Sequence, residues 1–369
     1  MKKIYYISVI SCIIALTSCQ SLETLTIDQL VPGDLSFPSS IRRVGVVNNV
    51  SGDFPNVFLL SGDTTKLPYE IARKVTYHEG NSAIATESLA EAIAEAQYFE
   101  EVIISDSLLR VHDINPRETT LSNEEVTELT ESLGVDMIIA LEAVNLRAIR
   151  SVSFFLEGGY LGIVDLKVNP QVNIYVPGRR SPLAGINVTD SIFWEGVFST
   201  QVRAQTQVIS ETKMIDEASN FAGTLPVKHI VPVWKTVDRV YYSSNKSDMR
   251  DASVMARKGE WEKAYHLWKK VYDSNKKKDQ MKAAINIALY YEIKDNLDEA
   301  IAWVEKSKEL AKDIEKIDAQ KEQLMKLYDP DGTSTYHIAS SYLNVLMARK
   351  EQSAKLNMQM RRFSEEPQE

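Results

Sequence analysis

Cysteine is almost absent from this chain of 369 residues. Its two cysteines, Cys12 and Cys19, both lie near the amino terminus, and none follows. The rest of the chain therefore has no thiol from which to build a disulfide, a zinc site with sulfur ligands or a cysteine nucleophile. These classes of function are excluded for the body of the protein.

Recognisable catalytic motifs are also missing. The sequence has no G-x-S-x-G elbow, no G-x-x-x-x-G-K-[ST] phosphate loop and no H-E-x-x-H helix. The histidines are scattered without metal-ligand spacing: His78, His112, His229, His266 and His337. The glycine-rich stretch 158–162 follows an apolar Phe-Phe-Leu run, which favours a hairpin turn over a phosphate cradle. We therefore predict no catalytic residue, no metal and no cofactor.

Positive charge is in deficit, with 42 Lys and Arg residues against 51 Asp and Glu residues. Nucleic acids select basic surfaces, because their affinity comes from neutralised phosphates. We therefore expect no nucleic-acid partner. A hydrophobic content of 44% with 25% charged residues is typical of a packed globular protein, and the length favours two domains.

The longest apolar stretch near the amino terminus is too short to span a membrane. Lys2 and Lys3 precede the apolar run 4–16, whereas a membrane-spanning helix needs about 20 apolar residues. The run ends in Leu-Thr-Ser-Cys, which resembles the bacterial lipobox. That resemblance implies cleavage before Cys19, a diacylglycerol on its thiol and an acyl chain such as palmitate on its amine. We predict a lipoprotein signal peptide at 1–18 and a lipidated tether at 19–40. The alternative is an ordinary secreted precursor cut at an A-x-A-like site.

The residues after Cys19 bear on the location of the protein. Gln20 stands where an Asp retains many Gram-negative lipoproteins in the inner membrane, so an outer-membrane location is favoured. Clustered acids after the cysteine accompany surface display in some bacteria, and here Glu23 stands alone. We expect a lipid-anchored protein that faces the periplasm, with surface display as the alternative.

Residues 41–247 are predicted to form a mixed β-sheet domain with packed helices. The apolar positions of 43–48 and 135–144 are typical of buried strands, and those of 86–99 follow helical spacing. A capping box from Ser122 to Glu125 begins a second helix, which Gly134 ends. The stretch 165–176 alternates apolar and polar residues around Pro170, which predicts a strand with a bulge or an edge there.

This arrangement has a partial counterpart in known families. A valine-rich first strand, a helix, the stretch LSNEEVTELTESLGVDMIIALEAV and a meander resemble the amino-terminal domains of TolB and of the curli-secretion lipoprotein, over roughly residues 41–200. Together with the lipobox and the segments VPVWKTVDRVYY and GEWEKAYHLW, they also resemble uncharacterised lipoproteins of Gram-negative envelopes. The resemblance implies an architecture and an envelope location, and it implies no activity.

Residues 248–360 are predicted to be helical, which completes an α+β fold class, and residues 361–369 are predicted to be a frayed tail. The spacing between the turns at Gly259 and Asn296 is close to the 34-residue period of tetratricopeptide repeats. Ala264 and Ala300 would let antiparallel helices approach each other, so the segment resembles a pair of tetratricopeptide repeats. Because two repeats are fewer than the usual three, the last stretch is expected to act as a cap.

We interpret the chain as a non-catalytic envelope lipoprotein that holds a protein partner through these repeats. The candidate binding residues are aromatic, although Trp at helical spacing is usually core: Trp261, Tyr265, Trp268, Tyr290, Tyr291 and Trp303.

The first alternative is a cell-wall glycan or peptide hydrolase that uses two of the acids on or near the predicted strands: Glu142, Glu157, Asp190 and Glu195. The second is a secretion-pore subunit, for which only 152–168 approaches a bilayer-entering hairpin. A basic spot from Arg147, Arg150, Arg179 and Arg180 is explained by a solvated face or a partner contact.

Overall fold

The computed structural model describes residues 21–51, 57–58, 67, 69–110, 120–244, 246–274, 276–318 and 334–363. The chain forms two compact units. Among the described residues, the sheet unit comprises those of Pro32–Val233 and those from Leu356 on, and the helical unit comprises those from Ser21 to Val31 and those of Trp234–Lys355. The predicted α+β fold class is confirmed, since a mixed sheet with packed helices precedes a helical region.

The elements follow one another in this order along the described chain: β1 (Ser21–Val31), β2 (Arg43–Asn48), β3 (Val57–Phe58), β4 (Glu70–Glu79), α1 (Ser82–Glu95), β5 (Glu101–Leu108), α2 (Asn123–Leu133), β6 (Met137–Phe154), β7 (Tyr160–Tyr175), β8 (Ala184–Asn187), β9 (Asp190–Phe198), α3 (Gln201–Thr206), α4 (Glu211–Thr224), α5 (Val227–Ile230), β10 (Val233–Ser243), α6 (Ser247–Arg257), α7 (Trp261–Tyr272), α8 (Lys277–Ile293), α9 (Leu297–Glu315) and α10 (Thr335–Met360), followed by a 3-10 turn at Arg361–Phe363.

The long strands β6 and β7 form the centre of an eight-stranded mixed sheet. Along one edge of β6, its first half pairs in parallel with β2 and its second half pairs in antiparallel fashion with β4. Along the other edge, β6 pairs with β7 over almost its whole length. β7 in turn pairs with β8 near one end and with β9 near the other. Since β5 pairs in parallel with β2, the strands β2 and β5 end at the same side of the sheet, beside the middle of β6.

Helices cover both faces of the parallel part of the sheet. Helices α1 and α4 share one core with the strands, and α2 contributes to a second core that contains Val126, Ile138 and Tyr175. Helix α4 crosses α1 closely at Gly223, where an added Cβ would lie 2.4 Å from the carbonyl oxygen of Ala85. A glycine is therefore required at this crossing.

Several local predictions are confirmed. Ser122 and Glu125 form the reciprocal capping box of α2, and Gly134 ends that helix with a φ of 65°. Pro170, which cannot donate a hydrogen bond, lies where β7 changes neighbours, because pairing with β9 ends at Val168 and pairing with β8 begins at Gln171. The strand prediction for 43–48 matches β2, whereas the sequence placed α1 a few residues too late.

The helical unit consists of successive helical hairpins. The turn between α6 and α7 has Gly259 at a φ of 75°, and the turn between α8 and α9 has Asp295 at 56°. Ala264 and Ala300 are fully buried, as expected for close helix packing. Strand β10 joins this core through the buried Asn286, whose amide both donates to and accepts from the Tyr242 backbone at 2.7 Å.

The predicted tether at 19–40 is wrong for most of its length. Ser21–Val31 is strand β1, which pairs with β10 in a two-stranded sheet, and Leu22, Leu25 and Ile27 pack on the core of the helical unit. The Thr and Leu alternation of this segment supports a strand, and the Pro and Gly residues that indicated a loop begin only after it.

The predicted domain limits also differ from the compact units. The change between units falls at Val233, within β10, and not at residue 247. The end of α10 belongs to the sheet unit, where the Gln359 amide donates to the carbonyl oxygens of Gly33 and Leu35 at 2.9 and 2.5 Å. Of the predicted frayed tail, residues 361–363 form the 3-10 turn. The predicted signal peptide, Cys19 and the tail from 364 lie outside the described residues.

Candidate functional site

The aromatic residues predicted to bind a partner fall into two groups. Trp268 is fully buried and Trp303 is only 7% exposed, and both share one core with Ala264 and Ala300. The prediction that these two tryptophans bind a partner is therefore wrong, because their side chains fill the space between helices. The other four are partly exposed and pack against the core from outside: Trp261, Tyr265, Tyr290 and Tyr291.

Three of these residues form a tyrosine cluster, namely Tyr265 of α7 with Tyr290 and Tyr291 of α8. The ring of Tyr265 stacks on Tyr290 with centroids 4.5 Å apart and meets Tyr291 edge-on at 5.8 Å. The hydroxyl oxygens of Tyr265 and Tyr291 are 3.3 Å apart. Such offset and edge contacts are favourable aromatic geometries, so the three rings form a fixed, partly exposed platform.

Charged side chains border the tyrosine cluster. The Lys294 ammonium lies 5.8 Å from the Tyr290 ring centroid and forms an ion pair with Glu262. The hydrogen bond with Tyr265, together with burial, raises the pKa of Tyr291 to about 12. The phenol is therefore neutral at physiological pH. The arrangement offers aromatic surface, hydroxyl groups and one charge of each sign, which is suited to binding a protein surface.

A second candidate is a polar network around Glu142 in the sheet unit. One carboxylate oxygen of Glu142 accepts from the Tyr175 hydroxyl at 2.7 Å and from the Asn173 amide at 3.2 Å, and the other accepts from the Asn49 amide at 2.5 Å. Arg110 donates to the Asn49 side chain at 2.7 Å. Burial raises the pKa of Glu142, although these hydrogen bonds oppose the shift.

The network lies where the parallel strands end. Asn49 follows β2, Arg110 follows β5, and Glu142 is at the register shift of β6 between Leu141 and Ala143. In open sheets, ligands bind beyond the carboxyl ends of parallel strands, so this is the expected position for a ligand. The Glu142 carboxylate, however, already accepts three hydrogen bonds within the protein, which is typical of a structural group.

The other acids of the hydrolase hypothesis lie elsewhere. Asp190 pairs with Val168 and Glu195 with Ile163, and Glu157 is in the exposed turn between β6 and β7. At about 3.3 Å per residue, Glu142 is separated from them by about 13 Å or more along the strands. A glycosidase needs two carboxyl groups about 5 to 9 Å apart. The structure therefore gives Glu142 no partner among the named acids.

A cavity of about 430 Å³ opens at the other end of the sheet, between strands β4 and β6 and the segment that joins α3 to α4. It is lined by three cations, one acid and four other residues: Arg73, Lys74, Arg150, Glu211, Gln205, Thr206, Ile209 and Ser210. We call it the basic cavity. None of the four acids of the hydrolase hypothesis lines it.

The predicted basic spot is only partly present. Arg150 lines the basic cavity, whereas Arg179 and Arg180 follow β7 at the opposite end of the sheet, about 40 Å away along the strands at about 3.3 Å per residue. The prediction that these arginines share one surface is therefore wrong. The pattern of alternation could not reveal which end of each strand they occupied.

Within the residues that the structure describes, no group of three or more His, Cys, Asp or Glu side chains is placed to hold a metal ion. The helices in the same part of the chain also include none that is long and apolar enough to cross a membrane.

Comparison with known families finds two matches. Residues 41–242 match a family described as a domain of unknown function, DUF8603. The chain belongs to the DUF8603 family. Residues 250–348 match a second such domain, DUF6340. No curated protein and no solved structure matches the chain.

The candidate sites divide between these two matches. The DUF8603 region contains the Glu142 network and the basic cavity, and the DUF6340 match contains the tyrosine cluster. Strand β1 lies outside both, although it pairs with β10. The resemblance to TolB, to the curli-secretion lipoprotein and to tetratricopeptide repeats stays a prediction.

Sequence reasoning missed two components of these sites. Arg73 and Lys74 were not singled out, because only the pairing of Lys74 with Arg150 shows that β4 and β6 place their cations together. Asn49 and Arg110 were missed for a similar reason, since they meet Glu142 only through the ends of three different strands. The apolar run that precedes Asn49 was the available signal for the end of β2.

Proposed function

We propose that this protein is a lipid-anchored, non-catalytic component of the cell envelope that binds a protein partner through its helical unit. The anchor would be Cys19, and the favoured location is the periplasmic face of the outer membrane. Surface display is the alternative location. Helices α6 to α9 would act as a tetratricopeptide-like pair, since two helical hairpins with buried Ala264 and Ala300 suit that arrangement.

The tyrosine cluster is the observation that carries the binding proposal. Tyrosine and tryptophan are enriched among residues that dominate interface energies, because they bury much area with few rotatable bonds. Tyr265, Tyr290 and Tyr291 are fixed against one another and remain partly exposed. A partner would make aromatic contacts without ordering these side chains, because the fold already immobilises them.

Capture from crosslinked envelopes tests the binding proposal. Wild-type protein and the double variant Tyr265→Ala with Tyr290→Ala are compared by quantitative mass spectrometry of the captured proteins. We expect a reproducible partner that falls by about tenfold or more in the variant, since a central aromatic contact contributes about 2 kcal/mol or more.

The matched control is Trp234→Ala, because Trp234 is a 72% exposed aromatic residue of the same unit outside the cluster. It should retain the partner. Equal recovery with the tyrosine variant and wild type, given unchanged circular dichroism, would exclude the cluster as the binding site.

The anchor has a separate test. Cells grown with a labelled fatty acid should incorporate the label into the wild-type protein and not into Cys19→Ala, and the variant should leave the membrane fraction. Label in the variant, or none in the wild type, would refute acylation of Cys19. This result would not affect the binding experiment.

A further inference from the structure

The exposed apolar residues of the sheet unit concentrate at one end of the sheet. Six large apolar side chains between 43% and 104% exposed lie there: Leu67, Tyr69, Phe154, Leu156, Val197 and Val202. We call this set the hairpin end. The strand register brings it together, since Glu70 pairs with Ser153, Phe154 with Tyr160, and Val197 with Leu161.

The short helix α3 is held against this end by a close backbone approach. At Gly162 of β7, an added Cβ would lie 2.2 Å from the carbonyl oxygen of Ala204 and 2.8 Å from the Val208 side chain. Any other residue at 162 would displace α3. The contact therefore positions both Val202, which is exposed, and the residues of α3 that line the basic cavity.

The basic cavity adjoins the hairpin end, and its three lining cations exceed the acids near them, namely Glu211 and the Glu70 that pairs with Arg73. Lys74 lies directly opposite Arg150 in the antiparallel register, where like charges are destabilising. Arg150 donates two long hydrogen bonds of 3.4 Å to the Ile209 carbonyl oxygen and one of 3.7 Å to the Met214 sulfur. Burial lowers the pKa of Arg150, which indicates that its charge lacks solvation.

The third cation is also incompletely paired. The Nη1 atom of Arg73 bonds to Glu70 at 3.1 Å, while its buried Nε has no hydrogen-bond partner in the described part of the chain. Glu211 is the one acid among the lining residues, and its carboxylate also lies 3.5 Å from His78. An anion with several acceptor oxygens would satisfy these donors, and a phosphate group has that chemistry.

An apolar rim beside a cationic cavity is the combination that an anionic bilayer surface binds, since peripheral attachment depends on buried apolar area and on attraction to anionic lipids. The chain as a whole has a net charge of −9, so a local excess of cations beside exposed apolar residues runs against its overall charge. We propose that the hairpin end docks on a membrane that contains anionic phospholipid, with a lipid phosphate in the basic cavity.

This docking goes beyond the proposed function. An acyl chain on Cys19 would hold the protein near a bilayer without selecting the surface of the sheet unit that meets it. The hairpin end would determine which surface of the sheet unit meets the bilayer. Two exposed acids, Glu157 and Glu195, lie at this end and oppose the attraction, so the affinity should be moderate and sensitive to salt.

Vesicle flotation tests the docking with a chain that carries no lipid. The chain from residue 19 with Cys19→Ser is mixed with vesicles of phosphatidylcholine, alone or with phosphatidylglycerol. We expect binding only to the phosphatidylglycerol vesicles. Lys74→Gln should weaken it about fivefold, in line with the loss of one cation at an anionic surface. Adding Leu156→Ser should weaken it about tenfold more, because that side chain is fully exposed in the free protein.

The matched control is Lys167→Gln with Leu183→Ser, which removes an exposed lysine and an exposed leucine elsewhere in the same unit and should bind as the parent does. Equal binding to both vesicle types, or equal loss in control and test variants, would overturn the proposal. Binding of inorganic phosphate in the cavity without vesicle binding would also overturn it. Crosslinking of the hairpin end to a protein in envelopes, with no binding to vesicles, would do the same.

Discussion

Each of the two units contains a carboxylate that accepts several hydrogen bonds, and the surroundings shift the pKa of the two groups in opposite directions. Glu292 in the helical unit is fully buried and accepts from Arg239 at 2.8 Å and from Tyr342 at 2.6 Å. Glu142 in the sheet unit accepts from a phenol and two amides. Arginines donate hydrogen bonds to the first carboxylate, whereas a phenol and two amides donate to the second, beside the charge of Arg110. This difference decides how each carboxylate titrates.

Burial raises the pKa of both groups, since desolvation disfavours the charged form. For Glu292, the hydrogen bonds from Arg239 and Tyr342 and the charges of Arg239 and Arg349 more than offset burial, so its pKa lies below the ordinary value. For Glu142, the hydrogen bonds from Tyr175, Asn49 and Asn173 do not offset it, and its pKa lies above that value. The charge of Arg110 also lowers the pKa of Glu142 without offsetting burial, so the two cases differ in the arginines that bond directly to Glu292.

The largest effect should follow from removing Glu292. Glu292→Ala leaves Arg239 and Arg349 without their common carboxylate, although their side chains are only 11% and 17% exposed. Breaking a buried ion pair from one side costs about 3 to 5 kcal/mol. We expect a loss of that size in the free energy of unfolding, measured by urea denaturation.

Glu299→Ala provides the control, because Glu299 lies on the neighbouring helix α9 and is exposed. It should change stability by less than about 0.5 kcal/mol. If Glu292→Ala were as mild as this control, the remaining partners, such as Asp295 at 2.9 Å from Arg349, would suffice for the arginines, and the contrast between the two carboxylates would fail.

A smaller effect should follow from Tyr175→Phe, which tests the neutral side of the comparison. The Tyr175 hydroxyl donates to Glu142 at 2.7 Å and accepts from the Leu121 backbone amide at 3.1 Å. Its removal leaves the buried Leu121 amide without this acceptor and takes away one of three hydrogen bonds to Glu142, at a cost of about 1 to 3 kcal/mol. Urea denaturation should show this loss.

Tyr160→Phe is the control for the loss of a hydroxyl, since Tyr160 lies at the opposite end of β7, outside the network. It should leave stability nearly unchanged. If Tyr175→Phe and the control had the same midpoint of urea denaturation, this result would contradict the role assigned to the Tyr175 hydroxyl.

The sequence allowed much of this fold to be predicted where local chemistry decides the outcome. The capping box at Ser122, the left-handed Gly134 and the turn at Gly259 follow from short-range backbone requirements, which a single sequence contains. Strand β1 was missed because its partner β10 is about two hundred residues away. Long-range pairing of this kind cannot be read from the residues of one strand.

The sites were harder to predict than the elements for the same reason. Glu142 was selected as an acid near a strand, but its partners come from β2, β5 and β7, and only the sheet topology unites them. The aromatic set was chosen by residue type, whereas helical phase decided that Trp268 is buried in the core and Tyr265 is partly exposed. Register and phase, rather than composition, thus separated structural residues from candidate binding residues.

The smallest expected effect is in the pH dependence, and it tests the comparison most directly. A carboxyl group with a lowered pKa in the fold contributes stability at pH above the ordinary value of about 4.5, and this contribution is lost as the pH falls below it. The stability deficit of Glu292→Gln relative to wild type should therefore shrink below about pH 4.5.

Glu142 should show the opposite slope. A carboxyl group with a raised pKa binds its proton more readily in the folded state, so the fold gains stability as the pH falls through that raised value towards about 4.5. Wild type should therefore gain on Glu142→Gln, which does not titrate, over this range. Urea denaturation of both variants at several pH values measures the two slopes. Slopes of the same sign would mean that the amides and the phenol around Glu142 stabilise its charge as well as two arginines stabilise that of Glu292.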